Sequence, residues 1–278
     1  WCLRLLPVLL FFISFVTYYC SNGILQQKKW ESLNFSISRR TQLFLKLEDF
    51  FWREHLSKLA LPYGIKGSLL LLKVLAVTAN YQVPANIELN DAPVRGYEED
   101  VGNKTTMRFF YPESASYNPG LHNEPGTLMV LVPFKQQDLR WLKEILYNEK
   151  RQVRKGFWKP PPQIWLADVS KIRVLDPHFL HQTADRLLQI PLHPKSKQQP
   201  VHPTTGILAV FVALNYCDVV HIAGFGYPNS KSQRHPIHYY GYDTMKSMKN
   251  SYHDLNHEAE ALKKLEDSGA ILYLHPHL

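Results

Sequence analysis

Three cysteines in 278 residues are too few for a disulfide-dense scaffold or a four-cysteine zinc site. No unit of about 20–50 residues repeats, which excludes solenoids and propellers. No Pro-, Gly- or Ser-rich linker divides the interior, so one large domain with an N-terminal appendage fits the length best. A long basic run is also lacking, although Lys and Arg outnumber Asp and Glu by 32 to 24, a net charge of +8. The densest basic cluster is Lys150, Arg151, Arg154, Lys155 and Lys159, around Phe157 and Trp158. Without an RNA-recognition signature it reads as a solvated loop, and no nucleic-acid partner is expected. The positive charge, with a pI near 9.2, then suits a membrane surface or an anionic substrate. Apolar residues at 45% and charged residues at 20% describe a folded chain, not a disordered one.

Charge is wholly missing from Leu5 to Leu25, a stretch of 21 residues. A membrane-spanning helix needs about 20. Tyr18 and Tyr19 stand near its far end, where aromatic belts sit, while Pro7, Ser14 and Ser21-Asn22-Gly23 interrupt it. A cleaved signal peptide is the rival reading, but Tyr18-Tyr19-Cys20 is a poor cleavage site. The chain begins at Trp1, not Met, so residues 1–4 are expected to be a truncated cytoplasmic end. Residues 5–25 then form an uncleaved signal anchor, 26–40 a polar stem and 41–278 a lumenal folded domain. Two glycosylation sequons, Asn34-Phe35-Ser36 and Asn103-Lys104-Thr105, favour the lumenal side.

Beyond residue 41 the hydrophobic period alternates between helix and strand. Phe44, Leu47 and Phe51 mark one helical face, and Lys66–Val77 a second apolar helix. Thr106–Tyr111 and Thr127–Val132 predict strands, the second apolar enough to be buried on both faces. Gln136–Tyr147, His181–Ile190, Thr204–Tyr216 and His257–Asp267 predict helices, the third buried all round and the last exposed. Gln163–Leu166, Ile172–Leu175, Asp218–Ala223 and Ala270–Leu274 predict further strands. The alternation argues an α/β fold with a parallel sheet.

The run from His202 to Tyr227, HPTTGILAVFVALNYCDVVHIAGFGY, carries the most chemistry. Thr204 or Thr205 can cap a buried helix whose free first-turn N–H groups form a ready anion site. The following strand ends in Gly224-Phe225-Gly226, where glycines let a ligand approach the backbone. A plain cap and a plain turn explain the same residues equally well. Two histidines follow, His238 in His-Tyr-Tyr and His253, with four residues between it and Glu258. Histidine is the usual base near neutral pH, yet with 13 in the chain neither is distinctive alone.

Taken in order, PTTG, GFGY, HYY and HxxxxE resemble the motifs of the eukaryotic sialyltransferases. The upstream run NDAPVRGYEEDVGNKTTMRFFYPES resembles the second half of that family's long motif, and GFWKPPPQIW and HIAGFGYP look closest to its β-galactoside α2,3 subfamily. The resemblance implies a Golgi type II membrane enzyme with a Rossmann-like parallel sheet flanked by helices, a variant of the GT-A glycosyltransferase fold. It implies inverting transfer of sialic acid from CMP-sialic acid to the 3-hydroxyl of a terminal galactose, as in N-acetyllactosamine, on glycoprotein or glycolipid glycans. It makes His253 the base, and His238 the group that contacts the donor phosphate. Asn90, Tyr111, Thr205, Gly206, Phe225 and Gly226 would line the nucleotide site. No Asp-Xaa-Asp occurs, and the family the chain resembles works without metal, so no cofactor is expected beyond the donor itself. Pairing with itself or with other transferases is a further expectation.

One departure matters. The family's long motif opens with a strand, a Gly-Asn-Gly turn, a helix and a cysteine, and no glycine lies here between Gly67 and Gly96. A βαβ unit needs about 30 residues, more than Thr78–Asn90 provides. The resemblance therefore implies a missing nucleotide turn, a Cys217 without its disulfide partner and a lost central strand. The alternative function is an inactive form, or a product of an incomplete gene model, acting at most as a Golgi glycan-binding or partner protein.

Overall fold

The computed structural model describes residues 43–44, 68–78, 94, 96–121, 123–150, 156–189, 201–224, 226–227 and 235–274. Its helices are α1 (Ser68–Thr78), α2 (Glu98–Val101), α3 (Gln136–Leu146), α4 (Pro177–Gln182), α5 (Thr205–Tyr216) and α6 (Leu255–Asp267). Its strands are β1 (Met107–Phe110), β2 (Leu128–Leu131), β3 (Ile172–Val174), β4 (His221–Ile222) and β5 (Leu272–Tyr273).

Strands β1, β2 and β3 pair in that order and all in parallel, with Met107 opposite Leu128 and Met129 opposite Ile172. Side chains alternate faces along a strand. Met107, Phe109, Leu128 and Val130 accordingly join one apolar cluster, while Phe110, Met129, Leu131, Ile172 and Val174 join another. Helix α5 fills the first cluster with an unbroken buried run from Ile207 to Leu214, beside Phe179 of α4 and Leu262 and Leu265 of α6. Val74 and Leu75 of α1, Leu139, Trp141 and Leu142 of α3, and Trp165 fill the second. Parallel strands with both faces covered by helices make this an α/β fold, as the alternating pattern predicts. Strands β4 and β5 form a separate parallel pair, yet Val220, Ile222, Ala270 and Ile271 belong to the first cluster.

Several expected elements differ. The helix expected at His181–Ile190 begins at Pro177, because Asp176 accepts from His178 N (2.9 Å) and proline suits the first helical position. Its continuation, Thr183–Leu187, is a wider π-type turn. Gln163–Leu166 is not a strand; three prolines precede it, and a single ladder-like bond joins Leu166 N to Tyr117 O (3.0 Å). The strand expected over 218–223 shrinks to two residues. Helix α6 is half-buried rather than exposed, laying Leu255, Glu258, Ala261, Leu262 and Leu265 inward. Phe44 forms an isolated antiparallel bridge with Leu175, while Leu47 and Phe51 lie outside the described residues.

Among the described residues no helix is long and apolar enough to cross a membrane. The anchor expected at 5–25, the stem at 26–40, and Cys2, Cys20 and Asn34 all lie outside them. Cys217 caps the C-terminus of α5 and belongs to no disulfide among the described residues.

Candidate functional site at the strand ends

The carboxyl ends of β1 and β2 run directly into Tyr111 and into Phe134-Lys135. The Tyr111 ring meets Phe134 edge-on at 6.0 Å, and Phe134 lies 5.6 Å from the His202 ring. His202 then binds the segment of His253 twice over. Its N–H donates to Tyr252 O (2.7 Å), and its carbonyl lies 2.8 Å from His253 Nδ1. A carbonyl only accepts, so Nδ1 carries the proton and Nε2 is left as the basic nitrogen. Burial pushes the His253 imidazole below its ordinary value, partly countered by this bond. His202 is pushed down to about 4 by burial first, then by His253 and Lys135. Both rings are therefore neutral at pH 7. Tyr111 and His253, far apart in sequence, thus belong to one continuous set of contacts at the strand ends.

Helix α5 begins beside them. Thr204 is its N-cap, with Oγ1 accepting from Ile207 N (3.2 Å). Leu208 N already bonds Thr204 O (3.2 Å). Thr205 and Gly206 supply the first-turn N–H groups that the helix itself leaves without a partner. The cap is held from outside by Glu258 of α6, which accepts from Thr204 N and from Thr204 Oγ1, each at 2.7 Å, and from the Tyr227 hydroxyl. Glu258 is fully buried, and burial pushes its carboxyl up to about 7 against the pull of these bonds. Burial and the neighbouring carboxylate push the Tyr227 phenol far upward, so it stays protonated and donates.

The glycine run and the His-Tyr-Tyr run are also joined. Tyr239 N donates to Gly224 O (2.9 Å) and Gly226 N to Ile237 O (3.3 Å). Gly224 has φ +66°, and a Cβ there would lie 2.2 Å from Tyr239 Cδ1. Only glycine fits that approach. His238 stacks on Tyr240 at 5.2 Å, and burial lowers its pKa, offset in part by Asp243. Among the described residues no hydrogen bond or ring contact joins His238 to His253. Asn90 and Phe225 lie outside the described residues.

Four residues of this neighbourhood were not singled out as site residues: His202, Tyr227, Glu258 and Lys135. The first three stand inside the quoted motifs, and spacing alone does not say which motif positions touch. Lys135 has no motif signal. Its ammonium lies 2.9 Å from Glu113 Oε1 and 3.0 Å from Asp138 Oδ1, and 4.8 Å from the Phe157 ring centre. Asp138 Oδ2 in turn accepts from Phe134 N and Lys135 N, both at 3.0 Å, and caps α3. The cluster so fixes the turn that presents Phe134. At the opposite, amino-terminal edge of the sheet lies a cavity of about 520 Å³, lined in part by Asn103, Thr127 and Lys171. None of the residues above reaches it.

The family model described as Glycosyltransferase family 29 (sialyltransferase) matches residues 86–270. The human CMP-N-acetylneuraminate-beta-galactosamide-alpha-2,3-sialyltransferase 4 is 45% identical, over 88% of this chain and 83% of its own. The rat type 2 lactosamine alpha-2,3-sialyltransferase is 47% identical, over 64% of this chain and 54% of its own. A mammalian sialyltransferase crystallised with Gal-beta-1-3GalNAc-ortho-nitrophenol superposes with a TM-score of 0.58 at 25% identity, over 87% of this chain and 93% of that one. The alignment to the human relative runs over 281 positions, while 88% of 278 residues is about 245. About 36 aligned positions, 281 less 245, therefore face a gap in this chain.

Proposed function

Because the chain belongs to glycosyltransferase family 29, the sialyltransferases, and is a glycosyltransferase, we propose that it transfers sialic acid from CMP-sialic acid to the 3-hydroxyl of terminal galactose. Relatives named alpha-2,3-sialyltransferases support that linkage. Acceptors are galactose-terminated glycans of the N-acetyllactosamine type, on glycoproteins or glycolipids. The enzyme sits in the Golgi membrane as a single-pass type II protein, with its body lumenal.

The strand-end geometry supports the following chemistry. His253, its Nδ1 proton held by the His202 carbonyl, takes the galactose hydroxyl proton at Nε2. The galactose oxygen attacks the anomeric carbon as the bond to the CMP phosphate breaks, which inverts that centre. Charge grows on the departing phosphate. The N–H groups of Thr205 and Gly206, at the positive end of α5, suit that charge, and His238 is the second donor. Tyr111, Gly226, Asn90 and Phe225 complete the nucleotide site. A monophosphate leaving group on these donors needs no metal ion.

The observation that carries this reading is the orientation of His253 beside the capped start of α5. The family's named relatives do not favour the non-catalytic alternative, and the gap of about 36 positions sets the experiment that separates the two. CMP-sialic acid transfer onto N-acetyllactosamine is measured for the whole chain and for the chain with those positions restored from the human relative. Transfer by the whole chain establishes the enzyme as it stands. Transfer only after restoration assigns this chain the non-catalytic role, and transfer by neither overturns the proposal.

A further inference from the structure

We propose that Asn103 is an N-glycosylation site whose innermost sugars seat in the cavity at the amino-terminal edge of the sheet. The inference rests on the lumenal placement of the body. Asn103-Lys104-Thr105 is a sequon, and it forms the turn between α2 and β1. Gly102, at φ +81°, ends the helix and swings the chain outward. Asn103 is exposed and its side chain makes no hydrogen bond among the described residues, so a substituent on its amide displaces none of those bonds.

The cavity begins at the same residue. Asn103 is part of its wall, and at about 520 Å³ it falls within the usual range of ligand sites, about 300–1,000 Å³. Met129 and Leu166 give its wall apolar surface, while Asn123, Asp168 and Lys171 add hydrogen-bonding groups. A pyranose has that same character, with an apolar ring face and polar edges. Covalent attachment at the wall places the first sugars there at high effective concentration. The occupant is thus supplied by the sequon beside the cavity.

In the transfer, the Asn103 amide nitrogen bonds the anomeric carbon of a lipid-pyrophosphate-linked oligosaccharide. The sugar–oxygen bond to pyrophosphate breaks, the lipid pyrophosphate departs with the electron pair, and the amide proton passes to base. Thr105, the sequon's third residue, is 5% exposed, and its carbonyl accepts from Thr127 Oγ1 (2.7 Å). The transferase can read that residue only before β1 docks on β2, so the sugar is added during synthesis and not to the folded domain.

The test expresses the whole chain in animal cells and maps its glycopeptides. Occupancy of Asn103, abolished by Asn103→Gln, is the expected result. Protease protection of the body in intact microsomes is scored in parallel. A protected body with a bare Asn103 overturns the inference and leaves the lumenal reading intact, whereas an unprotected body overturns both. Seating is read by amide hydrogen exchange before and after enzymatic removal of the glycan. Exchange at residues 119–127 and 166–171 should quicken several-fold on removal, and no change overturns the seating.

Discussion

Glu258 accepts hydrogen bonds from both the backbone N–H and the hydroxyl of Thr204, each at 2.7 Å, across 54 positions of sequence. It adds the Tyr227 hydroxyl from a third segment. One buried carboxyl therefore ties the start of α5, the loop after β4 and helix α6 together. Glu258→Gln keeps the shape but offers one acceptor oxygen where there were two, and turns an amide N–H toward donors. The expected cost is about 1–3 kcal/mol in denaturant unfolding near pH 4.5, and less at pH 8. The native carboxyl titrates about 7, above its unfolded value of 4.5. Its contribution is thus full below pH 4.5 and lost as pH rises through about 7. The variant should lose that slope; an unchanged slope removes Glu258 as its source.

Gly224→Ala tests the junction of the glycine run with the His-Tyr-Tyr run. The new methyl meets Tyr239 Cδ1 at 2.2 Å, on a backbone at φ +66°. A loss of more than about 1 kcal/mol is expected. Tyr239→Ala removes the steric half of the conflict but not the backbone half. The double variant should therefore be less destabilised than the sum of the singles. Strict additivity in the double-mutant cycle would show that the ring is not the obstacle.

How much of this was legible in the sequence depends on what fixes each feature. The strands at 107–110 and 128–131 and helix α5 were, because an unbroken apolar run has nowhere to lie but between layers. The cap was narrowed to Thr204 or Thr205, and the structure selects Thr204, whose hydroxyl accepts from Ile207 N. The start of α4 was misplaced because the apolar periodicity around His181 outweighed the Asp-Pro signal at 176–177. The short pair β4–β5 was overestimated, because two residues of pairing satisfy a ladder whose flanks are apolar for other reasons. At the site, the structure joins the PTTG, GFGY and HxxxxE segments through Thr204, Tyr227 and Glu258, but long-range bonds such as His253 to the His202 carbonyl leave no local trace. Lys135 was invisible for the same reason, since its partner Glu113 lies 22 residues away.

Lys135→Met leaves Glu113 and Asp138 buried without their cation. Lys135 is partly exposed, which moderates the loss to about 1–3 kcal/mol, below the usual cost of breaking a fully buried pair. Burial holds the Asp138 carboxyl up at about 6 even with Lys135 beside it. Its contribution is full below the unfolded value and lost as pH rises through about 6. Without the ammonium the carboxyl titrates still higher. The deficit of the variant should accordingly be small near pH 4.5 and grow as pH rises through about 6. A deficit independent of pH would mean that the lost contact with Phe157, not the lost charge, is responsible.

His253→Ala separates base from scaffold. The His202 N–H to Tyr252 O bond survives the substitution, so the strand-end segment keeps its position. Only the proton acceptor goes. Loss of a positioned base costs about 100- to 10,000-fold in turnover. That loss should appear in kcat, with the KM for the donor unchanged, in whichever of the two proteins compared above transfers sialic acid. Burial lowers the pKa of His253, so the imidazole is already neutral at pH 7. The parent rate should stay level from pH 8 down to 7 and fall only below the ordinary histidine value, as protonation removes Nε2 as an acceptor. The residual rate of the variant should lack that fall. A variant with the parent's acid limb would assign the titration to another group, and unchanged kcat would remove His253 as the base.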